Sequence, residues 1–129
     1  MDTHDGNGGK RGFVYIILAD GKKTRREAMR ASLFAGGHVA VHYTPQHGTV
    51  KEKIQTRRNA YTVSETAGGF SLGISNSERR DAISVARYIE ENNLTDKEWK
   101  AALGHDSAAV DAKTKLARIL REARKATYG

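Results

Sequence analysis

The chain has 129 residues, the length of one domain, and its 22 Lys/Arg against 15 Asp/Glu leave a net charge of +7. It has no cysteine, which excludes disulfides and thiol chemistry and fits a reducing cytosol. No apolar run approaches the ~20 residues of a membrane span and residues 1–10 lack the apolar core of a secretory signal, so a soluble cytoplasmic protein with no membrane partner is expected.

A chain of this size buries roughly two-thirds of the surface its unfolded form exposes, so it needs no metal or disulfide to fold, and no cofactor is expected. The positive balance favours polyanions. It is uneven: residues 1–75 hold 11 Lys/Arg against 6 Asp/Glu, while residues 76–129 hold 11 against 9.

Residues 1–11 carry Gly6, Gly8 and Gly9 among polar residues and read as a flexible tail. Residues 12–19 follow with both alternating faces apolar, Phe13, Tyr15 and Ile17 on one and Val14, Ile16 and Leu18 on the other. That pattern predicts a strand buried on both faces, in the middle of a sheet. Asp20-Gly21 suits a tight turn. Thr24 and Glu27 have the spacing of a capping box, which predicts a helix over residues 25–35 with Ala28, Met29, Leu33 and Phe34 as its apolar stripe and Gly36-Gly37 as its stop.

A strand returns over residues 38–44, with Val39, Val41 and Tyr43 on one face and His38, Ala40 and His42 on an exposed polar one. Strand, helix and strand would then form a possible βαβ unit, which allows parallel pairing without requiring it. Pro45 ends the strand. Beyond it the parity of apolar residues switches between Val50, Ile54 and Tyr61, Val63, placing a bulge or turn between them and a hairpin tip at Arg57-Arg58-Asn59. Phe70, Leu72 and Ile74 alternate with Ser71, Gly73 and Ser75 as a half-exposed antiparallel strand, an edge available to a second copy of the chain unless the helices cover it.

The remainder reads as three helices. Ser75 with Glu78 and Thr95 with Glu98 have capping-box spacing, so helices are expected from about Asn76 and Asp96. The first buries Ala82, Ile83, Ala86 and Ile89 and ends at Asn92-Asn93; the second centres on Trp99 and Leu103 and stops at Gly104. Asp106 or Ser107 caps the last, whose apolar face is Val110, Leu116, Ala117, Ile119, Leu120 and Ala123. The predicted class is α+β: a four- to five-stranded, mostly antiparallel sheet with one helix over residues 12–75, then a three-helix segment over residues 76–129 packed on it as one domain.

No catalytic signature emerges. His38 and His42 lie about 13 Å apart along a strand and do not reach one metal ion. The glycine pairs lack the spacing of a nucleotide-binding turn. His42-Tyr43-Thr44 and His47-Gly48-Thr49 each read His-x-Thr, which resembles the paired motifs of two-histidine phosphoesterases; the family's copies lie far apart in sequence, and here they are five residues apart across Pro45. Residues 93–104, followed by Val110 and a basic final helix, resemble a helix-turn-helix, with Lys100, His105 and Lys113 off its pattern.

The basic clusters carry the functional reading. Lys22, Lys23, Arg25, Arg26 and Arg30 gather about one predicted helix start, Lys51, Lys53, Arg57 and Arg58 run along a predicted hairpin to its tip, and Arg118, Arg121, Arg124 and Lys125 lie on the last helix. Helix starts, a charged ribbon and a basic helix all suit phosphates. Tyr61 is placed to stack on an unpaired base, though its parity with Val63 favours a core role. The expectation is a non-enzymatic accessory or regulatory protein that binds nucleic acid, DNA or RNA; the competing reading is an inhibitor or adaptor for an acidic protein surface.

Overall fold

The reversal at Asp20 joins two strands, not a strand and a helix. In the computed structural model, which describes residues 9–20, 23–45, 56–69, 71–103 and 110–129, β1 (Lys10–Asp20) pairs antiparallel with β2 (Lys23–Phe34) along its whole length, from Lys10 opposite Leu33 to Asp20 opposite Lys23. The helix expected over residues 25–35 is therefore corrected to a strand. Ala, Arg, Glu and Met favour helices only by tenths of a kcal/mol each, and a continuous ladder beside β1 outweighs that preference.

Three further strands, β3 (Val39–Pro45), β4 (Thr56–Glu65) and β5 (Ser71–Ser77), complete a five-stranded antiparallel sheet in the order β1-β2-β3-β4-β5. Among the described residues every strand pairing is antiparallel, which corrects the possible βαβ unit to consecutive antiparallel strands. Arg57, Arg58 and Asn59 belong to β4 rather than to a hairpin tip, because Pro45 already faces Thr56. Val50, Lys51, Lys53 and Ile54 lie outside the described residues, as does the capping site at residues 106 and 107.

Among the described residues three helices follow: α1 (Arg79–Glu91), α2 (Asp96–Leu103) and α3 (Val110–Tyr128). The capping box at α2 forms as the spacing implied, with the Thr95 amide donating to Glu98 Oε1 at 3.0 Å and the Glu98 amide donating to Thr95 Oγ1 at 3.1 Å. The Ser75–Glu78 box does not. β5 runs on through Ser77, so α1 starts three residues later than expected, with Glu78 at its N-cap making no side-chain cap.

Residue 34 begins the turn that ties the two layers together. Ala35, Gly36 and Gly37 take φ of 55°, 66° and 91°, a left-handed run that returns the chain from β2 to β3. The buried Ala35 amide donates to Glu90 Oε2 of α1 at 2.8 Å. Beside it the His38 ring stacks on Trp99, 5.3 Å between centroids, and bonds Asp96 Oδ1 at 2.7 Å. Trp99 is fully buried and its indole N–H donates to Asn93 Oδ1 at 2.9 Å. Lys115 joins α3 to α2 through Glu98 at 2.9 Å.

The helices bury one face of the sheet at its β3–β5 side: Phe34, Val39, Val41, Val63 and Ile74 meet Ala82, Val85, Ile89, Trp99, Leu116 and Ile119. Of the apolar face expected for the last helix, Val110 and Ala117 are exposed, and Ala112 is buried instead. The opposite face closes on itself. Val14, Ile16 and Ala40 form a second buried cluster with Met29, Ala31 and Leu33, to which no helix contributes. The β2–β3 ladder covers only Ser32–Phe34 and Val39–Val41, so the β1–β2 hairpin leaves the sheet as an arm and curls until the β4–β5 turn meets it. Gly69 makes that closure: φ is +73°, and a Cβ there would run into the Tyr15 carbonyl.

Two glycines separate conformation from closure. Gly36 also needs positive φ (+66°) but faces open space. Gly36→Ala is expected to cost about 1 kcal/mol, the penalty of a left-handed alanine. Gly69→Ala is expected to cost about 3 kcal/mol or more, because a backbone contact must also open. Urea denaturation of both variants measures the difference.

Candidate nucleic-acid interface

Strand alternation divides the arm into two chemically different faces. Val14 and Ile16 point inward, while Arg11, Phe13, Tyr15 and Ile17 share the outer face with Arg26, Ala28 and Arg30, by the register that sets Phe13 opposite Arg30 and Ile17 opposite Arg26. This corrects the expectation that residues 12–19 are buried on both sides at the centre of the sheet. β1 is an edge strand, and Phe13, Tyr15 and Ile17 are 56%, 48% and 44% exposed. The helices stop short of them, anchored instead at the β2–β3 turn.

The outer face pairs aromatic rings with guanidinium groups. Arg26 lies over the Tyr15 ring, 5.2 Å from its centroid. Across the point where arm and sheet part, Tyr43 stacks on Tyr61 at 4.8 Å. Tyr43 is 44% exposed and Tyr61 half-buried. Burial raises the Tyr61 phenol pKa, with the Tyr43 hydroxyl adding to the shift and Arg79 opposing it. Between them lies a groove of about 730 Å³ whose walls include Arg11, Phe13, Arg30, Tyr43, Tyr61 and Arg79.

The basic clusters are redistributed. Arg26 and Arg30 stand exposed on a strand, not at a helix start; Lys22 lies outside the described residues, as do the side chains of Lys23 and Arg25. The side chains of Arg57 and Arg58 also lie outside them. Arg118, Arg121, Arg124 and Lys125 are exposed on α3, where Arg124 and Tyr128 line a different groove along Gly73–Ser77 of β5. Tyr128 Oη and Ser77 Oγ are 2.6 Å apart, so α3 stands beside the outer edge of β5. Sequence reasoning weighed the arginines but not Phe13, Tyr15 and Tyr43, because apolar alternation reads the same whether a face is covered or open.

His42 is the other departure. It is 3% exposed, not on an open polar face, because the curl of the arm closes that side of the sheet. Its Nδ1 lies 2.8 Å from the Tyr43 carbonyl and its Nε2 2.8 Å from Ser64 Oγ. A carbonyl only accepts, so Nδ1 carries the proton and Nε2 accepts from the Ser64 hydroxyl. Ser64 is 1% exposed, and the neighbouring Thr44 and Thr62 hydroxyls bond each other at 2.8 Å. The pair is a buried cross-strand link. Among the described residues no group of three or more His, Cys, Asp or Glu is placed to hold a metal. No described helix is long and apolar enough to cross a membrane.

No family model, curated protein or solved structure matches this chain.

Burial lowers the His42 pKa from its ordinary 6.5, opposed in part by the bond to the Tyr43 carbonyl. The unfolded chain therefore takes up a proton first as pH falls. The stability owed to neutral His42 is complete above about pH 6.5 and is lost progressively below it. The expected outcome is that the gap in urea midpoint between the wild type and His42→Gln, which keeps a donor and an acceptor without titrating, narrows between about pH 7 and pH 5.

Proposed function

We propose that this protein binds single-stranded nucleic acid on the outer face of its β1–β2 arm, as a non-enzymatic accessory or regulatory factor. The observation that carries the reading is the exposure of Phe13, Tyr15 and Tyr43 on a sheet surface that also presents Arg11, Arg26 and Arg30. Exposed aromatic side chains lose the hydrophobic gain of burial and persist on a surface where a partner covers them. Nucleobases have flat apolar faces and phosphates carry charge at regular intervals, so alternating rings and guanidiniums match both components of one strand.

The stacking component favours an unpaired strand, since bases inside a duplex do not present their faces. An acidic protein surface would engage the arginines but has no equivalent demand for the rings. The hydroxyl that bonds His42, on Ser64, is buried beneath the arm, so this pair serves the packing of the inner face and the reading places activity in the exposed outer one.

Fluorescence anisotropy with labelled single-stranded DNA, single-stranded RNA and duplex DNA at two salt concentrations tests this. Both single strands are expected to bind more tightly than the duplex. Phe13→Ala and Tyr15→Ala should each weaken binding by about 1–3 kcal/mol with little change in salt dependence. Arg26→Ala and Arg30→Ala should each lower the slope of log affinity against log salt by about 0.7. Equal affinity for duplex, or loss of affinity without any change of slope in the arginine variants, would overturn the reading.

A further inference from the structure

Arg79, the first residue of α1, lines two grooves at once. One is the arm groove with Phe13, Tyr43 and Tyr61; the other, of about 500 Å³, lies between α1 and α3 and is lined by Arg80, Ser84, Arg87 and Tyr88 as well as Arg79. We propose that a bound strand does not end on the arm but continues past Arg79 into the α1–α3 groove, so that the two grooves form one track. The inference rests on the reading above and extends it, from a patch that stacks a few bases to a path that holds a longer strand.

Helical spacing puts Arg80, Ser84 and Arg87 on one side of α1, the two arginines two turns apart and about 10 Å along the axis. Both are exposed, and a single strand passing them brings successive phosphates within reach of each. Arg80 has the Glu78 carboxylate 3.7 Å away, but both side chains are largely exposed, and a solvated pair of this kind is held weakly enough for a phosphate to compete. The far wall is fixed. Ser84 Oγ and Thr127 Oγ1 of α3 are 3.0 Å apart, and the Tyr88 hydroxyl donates to Glu122 Oε2 at 3.1 Å, which holds its half-buried ring between the helices. Glu91 lines the last part of the groove and puts negative charge where the track ends.

A track makes the arginines of the α1–α3 groove matter only to a strand long enough to reach them, whereas a patch gains from length only through the number of registers it is offered. The test uses the full chain and labelled oligothymidylates of about 6 and about 18 nucleotides, one within the span of the arm and one long enough to pass Arg79. Wild-type protein is expected to bind the longer strand more tightly. Arg80→Ala/Arg87→Ala should weaken the longer strand about fivefold or more, with the salt slope lower by about 1.4, and weaken the shorter strand less than about twofold. Both arginines are exposed, and an unchanged thermal melt confirms that the variant folds. Equal loss on the two lengths, no loss on the longer one, or equal wild-type affinity for both overturns the track alone. A wild type that binds neither length overturns the reading of the arm, and the track falls with it.

Discussion

The ladder between β1 and β2 is the constraint on which the rest of the molecule depends. Its eleven cross-strand positions hold a segment with good helix-forming composition in an extended state. Once extended, that segment sorts its residues by parity. Glu27, Met29, Ala31 and Leu33 turn to the inner side, and Arg26, Ala28 and Arg30 to the outer. A helix over the same residues would have spread the arginines around a cylinder. The strand instead sets Arg30 opposite Phe13 and brings Arg26, opposite Ile17, over the Tyr15 ring, and so creates a surface whose chemistry neither strand has alone.

What keeps that surface open is where the helices are anchored. The β2–β3 turn, with its left-handed Ala35 and two glycines, is gripped from α1 by Glu90 and from α2 by Trp99 and Asp96 through His38. These bonds place the helical layer over Val39, Val41, Val63 and Ile74, and the arm extends beyond it. The capping box at α2 contributes to the same end. Glu98 is held below the usual carboxylate range first by the Thr95 amide and then by Lys115, so one carboxylate starts α2 and ties it to α3. The arm, short of helical cover on one face, closes the other by curling onto the β4–β5 turn.

The curl has a polar consequence as well as an apolar one. It encloses Val14, Ile16 and Ala40, and the same face of β3 and β4 carries His42, Thr44, Thr62 and Ser64, all buried. Hydroxyls and a neutral imidazole are suited to that position because each satisfies its neighbour across the strands, whereas unpaired polar groups there would cost several kcal/mol. The polar groups of the inner face thus bond one another, and the outer face leaves both its rings and its arginines exposed. That asymmetry leaves one surface on which exposed rings and guanidinium groups stand together, the surface on which the proposed function rests.

Much of this was legible in the residues themselves. The α+β class, the alternation of β3 and β5, the buried positions of α1 and the cap at Thr95 follow from periodicity and local hydrogen-bonding chemistry, which act over a few residues and are written directly in the chain. Three things were not. Residues 23–34 satisfy a helical and an extended pattern alike, and only pairing with β1, a partner supplied by the fold, selects between them. Phe13, Tyr15 and Ile17 alternate as buried residues do, and their exposure depends on where Trp99 and Glu90 anchor the helices. His42 has the spacing of an exposed residue and is buried by the curl of an arm that begins thirty residues earlier. Local sequence determined which elements form and what each face carries. Tertiary structure decided which faces meet water, because coverage is set by contacts between segments that no local pattern records.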